Sequence, residues 1–192
     1  MMPTKDAWYG QHYSIMLDSE RTIYRALSET GKKGFQDLFW AARDPESRTI
    51  FQERLNYIMT AFRRENARQP WNTDRGRIYL LNGSPAAVDI DQNANWGIQL
   101  TQGGATTGAS STDRSNEDVQ ANRAEVWTYS FQNQYVKYVF VFISPNEWKI
   151  SAAAVAGNQY INALENFGKT VTFGVRDPAT YQRDVEALEK KK

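Results

Sequence analysis

The sequence predicts an α+β fold, with N-terminal helices packed on a mainly antiparallel sheet and additional C-terminal helices. Three observations predict it. Before position 70 apolar residues recur at helical spacing, most clearly Phe51, Leu55, Ile58 and Phe62. Between Glu125 and Ile143 two β-rich runs flank the short polar stretch Gln132-Asn133-Gln134, the pattern of a hairpin. After Asn158 helical patterning returns, and Asp177-Pro178 supplies a helix-start signal.

Taken in order, residues 1–12 are polar apart from Trp8 and Tyr9 and are expected to be loosely attached. Asp18 to Ser28 forms a short helix with Leu17, Ile23, Tyr24 and Leu27 on one side. Thr30 to Ala42 forms a second, carrying Phe35, Leu38, Phe39 and Ala42, with Thr30 as its cap. Asp44-Pro45-Glu46 combines an N-cap acceptor, a proline at the first helical position and an acid in the first turn. In the helix it opens, Glu53, Arg63, Arg64 and Glu65 read as a solvated face.

Pro70 pushes the residue before it out of helical geometry, so this helix ends near Ala67 or Arg68. Asn72, Thr73 and Asp74 favour a turn, and Gly76 suits a positive φ at entry to a strand. Arg77 to Leu81 has apolar residues on both faces and reads as a strand covered on both sides. Asn82-Gly83-Ser84-Pro85 is a turn by composition. Short strands follow at Val88 to Asp91 and Trp96 to Leu100.

Residues 101–120, with Gly103, Gly104 and Gly108 among Ser and Thr, are expected to form a long mobile loop. The hairpin strands are Glu125 to Phe131 and Tyr135 to Ile143, the second apolar on both faces. Trp148 to Val155 is a further strand, and Asn158 to Phe167 a helix stopped by Gly168. Val171, Phe173 and Val175 alternate over Lys169 to Val175 as in a strand. The last helix runs into Lys190-Lys191-Lys192, where cations suit the helix dipole without any nucleic-acid role.

Bulk properties exclude several functions. Lys plus Arg is 23 against 22 for Asp plus Glu, which argues against a dedicated binder of nucleic acid or of an anionic membrane surface. The absence of cysteine excludes disulfides, thiolate catalysis and cysteine metal sites. No run of about 18 apolar residues is present, so direct membrane insertion is not expected. Aromatic residues make up 13% of the chain, which favours a packed core over disorder.

Catalytic motifs are sparse. A Ser-His-Asp triad would rest on His12, the one histidine, and no Gly-x-Ser-x-Gly elbow accompanies it. Gly103-Gly104-Ala105-Thr106-Thr107-Gly108 lacks the Gly-Lys-Ser/Thr of a phosphate loop. Asp89-Ile90-Asp91-Gln92-Asn93 opens like a calcium loop, but Ala94 and Leu100 stand where that loop needs Gly and Glu. Neither a metal nor a cofactor is expected.

Pro70-Trp71-Asn72-Thr73-Asp74, with the following Arg75-Gly76-Arg77-Ile78-Tyr79 and Gly83-Ser84-Pro85, resembles the GWxTD domain, a bacterial family named for its Gly-Trp-x-Thr-Asp motif. Phe39-Trp40 and Arg43-Asp44-Pro45 upstream, and Glu125, Val126, Trp127 and Tyr129 downstream, extend the resemblance over roughly residues 30–145. Pro70 replaces the leading glycine, which tells against any role needing a flexible backbone there. On this basis residues 1–29 are an N-terminal extension with a short helix. Residues 30–145 are the GWxTD-like domain, and 146–192 are a strand and helix extension of the same domain. The family carries no established activity. Its members look exported or envelope-associated, so the resemblance implies a periplasmic or envelope location. Met1 to Asp6 has no apolar signal segment, so the chain reads either as cytoplasmic or as a piece of a longer exported protein, the second being the expectation preferred.

Asp74, Arg75, Arg77 and Glu125 converge if strands beginning at Gly76 and Glu125 are neighbours. One reading is a salt-bridged corner that orders the turn. The other is a polar site for an anionic or carboxylate-bearing ligand. Trp71, Trp127, Tyr129 and Tyr138 read as core aromatics, with the walls of a groove as the alternative. Two function classes follow. The first is a non-enzymatic binding or protein-interaction module with a protein or small polar ligand as partner, using Trp71, Asp74, Arg75, Arg77, Trp127 and Tyr129. The second is a glycoside-type hydrolase using Asp74 and Glu125. Carboxyls roughly 5–10 Å apart in an open cleft would favour hydrolysis, and burial against Arg75 or Arg77 would count against it.

Overall fold

Helical capping dominates the first half of the chain. The computed structural model describes residues 5–91, 123–143, 146–151 and 158–190. It opens with α1 (Ala7–His12), α2 (Asp18–Ala26), α3 (Glu29–Ala41) and α4 (Pro45–Ala61). Asp44 accepts from the Glu46 N–H at 2.9 Å to start α4, as the Asp-Pro signal requires. Ser28, rather than Thr30, caps α3 by accepting from the Gly31 N–H. A single 3₁₀ turn (Pro70–Asn72) then leads into α5 (Asp74–Asn82).

The sheet comprises β1 (Ala87–Asp91), β2 (Ala124–Phe131), β3 (Gln134–Ile143) and β4 (Glu147–Ile150), antiparallel and in chain order. Gln132 and Asn133 take positive φ of 51° and 60°, the two-residue turn whose twist matches a hairpin. Next come α6 (Gln159–Phe167), a π-helical turn (Gly168–Thr172) and α7 (Pro178–Glu186), whose cap Asp177 accepts from the Thr180 N–H. The fold is therefore α+β, with helices on both sequence flanks of an antiparallel sheet. The expected strand at Trp96 to Leu100, the expected loop at 101–120 and the end of the Trp148 to Val155 strand lie outside the described residues.

One hydrophobic core runs through all these parts. Phe51, Leu55, Ile58 and Phe62 on α4 join Tyr24, Phe35 and Phe39, the sheet residues Trp127, Tyr138 and Phe140, and Tyr181 and Val185 of α7. The first helices are fastened to the last by a buried polar knot. Arg43, 1% exposed, donates through Nη2 to Glu20 (2.6 Å), through Nη1 to Phe39 O (2.7 Å) and through Nε to Phe173 O (2.7 Å). The Tyr181 hydroxyl donates to the same Glu20 oxygen at 2.8 Å. A buried pair so fully hydrogen-bonded is tolerated, whereas removing one partner leaves an uncompensated charge.

Four further expectations are corrected. Arg77 to Leu81 is helix, not strand. Thr73 Oγ1 accepts from the Gly76 N–H at 3.0 Å and Asp74 sits in the first turn, so a cap decides a short apolar run that periodicity leaves ambiguous. Gly76 is consequently helical and not at positive φ. It is needed because a Cβ there would stand 2.2 Å from the Pro70 carbonyl oxygen. Positive φ occurs instead at Gly83 (79°), which ends α5. Lys169 to Thr172 is part of the π turn, and Val175 makes only an isolated bridge with Arg43.

The fourth correction is at the N-terminus. Trp8 and His12 of α1 are not loosely attached. His12 is buried, stacked between Trp8 (4.0 Å) and Phe51 (4.4 Å), and Nδ1 lies 2.8 Å from Trp8 O. Burial drives its pKa down to about 3 from the usual 6.5. Between those values the unfolded chain binds a proton that the folded chain refuses, so stability falls as pH drops below about 6.5. From pH 7 to 5 the loss due to this group amounts to about 2 kcal/mol. Urea unfolding at both pH values is expected to show it in the native chain, with His12→Gln lacking this component. An equal pH dependence in the variant would contradict the assignment.

Candidate functional site

The helical phase of α5 decides what becomes of the predicted site. In a strand, Arg75 and Arg77 would share a face. In a helix, Asp74 pairs with Arg77 and Ile78 on one flank, while Arg75 and Tyr79 occupy another. The predicted cluster therefore divides in two.

On the first flank, Arg75 holds the helical layer to the sheet. Its Nε and Nη2 lie 2.8 and 2.6 Å from Glu65 Oε1, and its Nη1 donates to Glu125 Oε2 at 2.9 Å. The guanidinium lies 5.0 Å from the Phe62 ring centre and 4.7 Å from that of Trp148. The Trp127 indole N–H donates to the other Glu125 oxygen. Glu65 was assigned to the solvated face of α4, but its side chain is 2% exposed. The reason is that α4 ends at Ala61, so Glu65 leaves the helical phase and turns inward. Burial pushes the Glu65 carboxyl pKa up, against the opposing pull of Arg75.

On the second flank, Asp74 Oδ1 pairs with Arg77 Nη2, and Asp74 Oδ2 accepts from the Ile150 N–H of β4 at 2.9 Å. These residues border a cleft of about 250 Å³ with Tyr13, Ser14, Arg21, Leu81, Glu165 and Lys169. Arg21 is anchored by Tyr13 O (2.7 Å) and by Asp18 (2.7 Å). Arg77 Nε is enclosed and has no acceptor among the described residues. Lys169 forms no ion pair there among the described residues. Sequence reasoning missed Lys169 because it assigned that segment to a strand, and missed Arg21 because no periodicity links α2 to α5.

The remaining predicted residues are packed. Trp71 is 7% exposed on the 3₁₀ turn, which lies against α1, α4 and α5. Trp127 is buried against Phe62 and Phe140. The Tyr129 hydroxyl donates to Gly83 O at 2.9 Å, and Arg54 donates to Leu80 O and Leu81 O, so the C-terminal carbonyls of α5 are satisfied from β2 and α4. Asp74 and Glu125 do not share an open cleft: the cross-strand row Glu125, Phe140, Ile150 places the fully buried Phe140 between Glu125 and the strand that holds Asp74.

Among the described residues no group of acidic or histidine side chains is arranged to hold a metal ion, and no helix is long and apolar enough to cross a membrane. The chain matches no family model, no curated protein and no solved structure.

Replacing Arg75 leaves two inward carboxylates without their counter-ion. Arg75→Met is expected to cost about 3–5 kcal/mol at pH 7. Without the guanidinium the buried Glu65, whose carboxyl pKa burial already raises, takes up a proton in the folded chain before it does in the unfolded chain, so part of the loss is recovered at pH 5. Denaturant titrations at the two pH values check this. A loss below about 1 kcal/mol at pH 7, or one that grows on acidification, would contradict the bridging role.

Proposed function

We propose that the chain is a non-enzymatic binding module, a GWxTD-like domain of a bacterial envelope-associated protein, whose partner is a protein or a small polar ligand. One observation carries this reading. The two carboxylates available for glycoside-type hydrolysis are each held by an arginine and a second donor, on different flanks of α5, while the cleft beside Arg77 retains donors without acceptors. A general acid and base need oxygens free to exchange a proton with substrate. Donors lining a concave site suit ligand capture instead.

The residues that carry the resemblance each have a structural role. Trp71 fills the space between helices, Thr73 caps α5, Gly76 permits the Pro70 carbonyl to approach, and Arg43 ties the polar knot. Each of these places is set by packing or hydrogen bonding, as the structural reading of the corner expects.

A broad hydrolase screen on the purified chain, with Asp74→Asn and Glu125→Gln alongside, tests the reading. No turnover is expected from any of the three. Asp74→Asn is expected to lose about 1–3 kcal/mol of stability with its charge-assisted bonds. A hydrolytic activity abolished in Asp74→Asn, with an unchanged melting temperature, would overturn the binding-module reading.

A further inference from the structure

Arg54 differs from the other arginines that are withdrawn from solvent. Among the described residues Arg21, Arg43, Arg75 and Arg77 each pair with a carboxylate, and Arg54 does not. Burial pushes its pKa down, with no carboxylate nearby to oppose the shift. Its Nη1 is occupied, donating to Leu80 O at 3.0 Å and to Leu81 O at 2.7 Å. Nε and Nη2, which form one edge of the guanidinium, have no acceptor among the described residues, and neither is enclosed as Arg77 Nε is. The plane of the group is fixed. Gly83 packs against it so closely that a Cβ there would stand 2.9 Å from Nη2 and 3.2 Å from Nε, and the Phe173 ring centre is 5.6 Å away.

Arg54 lines a cavity of about 370 Å³ bordered by α4, the end of α5, β2, α6 and the π turn, and it is the one charged residue among those described there. Phe131, Leu164 and Phe167 give that wall an apolar part, and Ser84, Ser130 and Thr172 add hydroxyls. Phe131 and Phe167 meet edge to face at 5.5 Å, and Phe167 is 43% exposed, so aromatic surface is left open. Asn82 and Tyr129 also border the cavity, but the Asn82 amide donates to the Tyr138 hydroxyl and the Tyr129 hydroxyl to Gly83 O.

These features select a ligand class. The open edge of one guanidinium matches the two oxygens of one carboxylate side-on. A single cation balances a monoanion, whereas a phosphate dianion would keep a net charge in a partly desolvated site. The hydroxyls can donate to the remaining carboxylate lone pairs, and the rings can cover an apolar body. We infer that this cavity binds a small monocarboxylate with an apolar body, its oxygens held by Arg54 Nε and Nη2 and its body against Phe131 and Phe167. The site shares Leu81 with the cleft beside Arg77 and no other lining residue, so it goes beyond the reading given to that cleft.

Titration of the full chain with benzoate, benzamide, acetate and inorganic phosphate, followed by NMR through the arginine Nε–H signals, tests the inference. Benzoate should move the Arg54 signal. Benzamide has the same shape without the charge and should bind about tenfold or more weaker. Acetate has the charge without the ring and should also be weaker by about tenfold or more. Arg54→Lys keeps the charge but not the fork and should weaken benzoate about tenfold. Because Arg54 also caps α5, the ligand series on the native chain carries the test alone if this variant does not fold. Benzamide, acetate or phosphate binding as tightly as benzoate would overturn the inference. So would benzoate binding that leaves the Arg54 signal unmoved, or that is undiminished in Arg54→Lys. No binding of benzoate would overturn this inference alone, since the hydrolase screen reports on turnover and not on this ligand.

Discussion

The Arg75 guanidinium is the joint on which the two layers depend. It reaches from α5 to Glu65 beyond the end of α4 and to Glu125 on β2, and it lies near the rings of Phe62 and Trp148, which belong to α4's C-cap and to β4. Helix-to-sheet junctions carry backbone and side-chain polar groups that packing alone does not satisfy. Here one planar cation with several donors answers two carboxylates at once, and the aromatic faces shield it from water. Lysine, a point charge on a flexible stem, would not span the same partners.

The same helix explains why the candidate site was only partly legible. The membership of the corner was readable: Asp74, Arg75, Arg77 and Glu125 are all engaged in ion pairs. Its geometry was not, because Arg77 to Leu81 offers apolar residues on both faces and a five-residue window cannot separate a buried strand from a buried helix. The deciding signal is Thr73 three residues before Gly76, an N-cap whose short polar side chain has the composition of a turn as well. With the phase corrected, Asp74 and Arg77 move to the cleft that also contains Lys169, and Arg75 moves to the interior.

Long periodic segments were legible in place though not in every boundary: Ser28 rather than Thr30 caps α3, and α4 ends at Ala61, short of Ala67 or Arg68. The α4 stripe, both Asp-Pro caps and the central hairpin stand where residue spacing placed them. What escaped were features that depend on tertiary neighbours. Trp8 and His12 sit in a polar segment with no period, and only the aromatic cluster of α3 and α4 makes them core. Glu65 and Lys169 each stand just past the regular end of a helix, where the phase that assigns a side chain to solvent or core no longer applies. Arg43, embedded in a start signal that reads as local, has partners near positions 20 and 173.

The central claim is that the helical layer and the sheet form one cooperative unit clamped through Arg75. Native-state hydrogen exchange resolves this amide by amide. The account predicts that the slowest amides of α4, α5, β2 and β3 share a single opening free energy equal to that of global unfolding. Amides of β2 and β3 that open at a free energy lower by about 2 kcal/mol or more, while α4 and α5 stay protected, would contradict it.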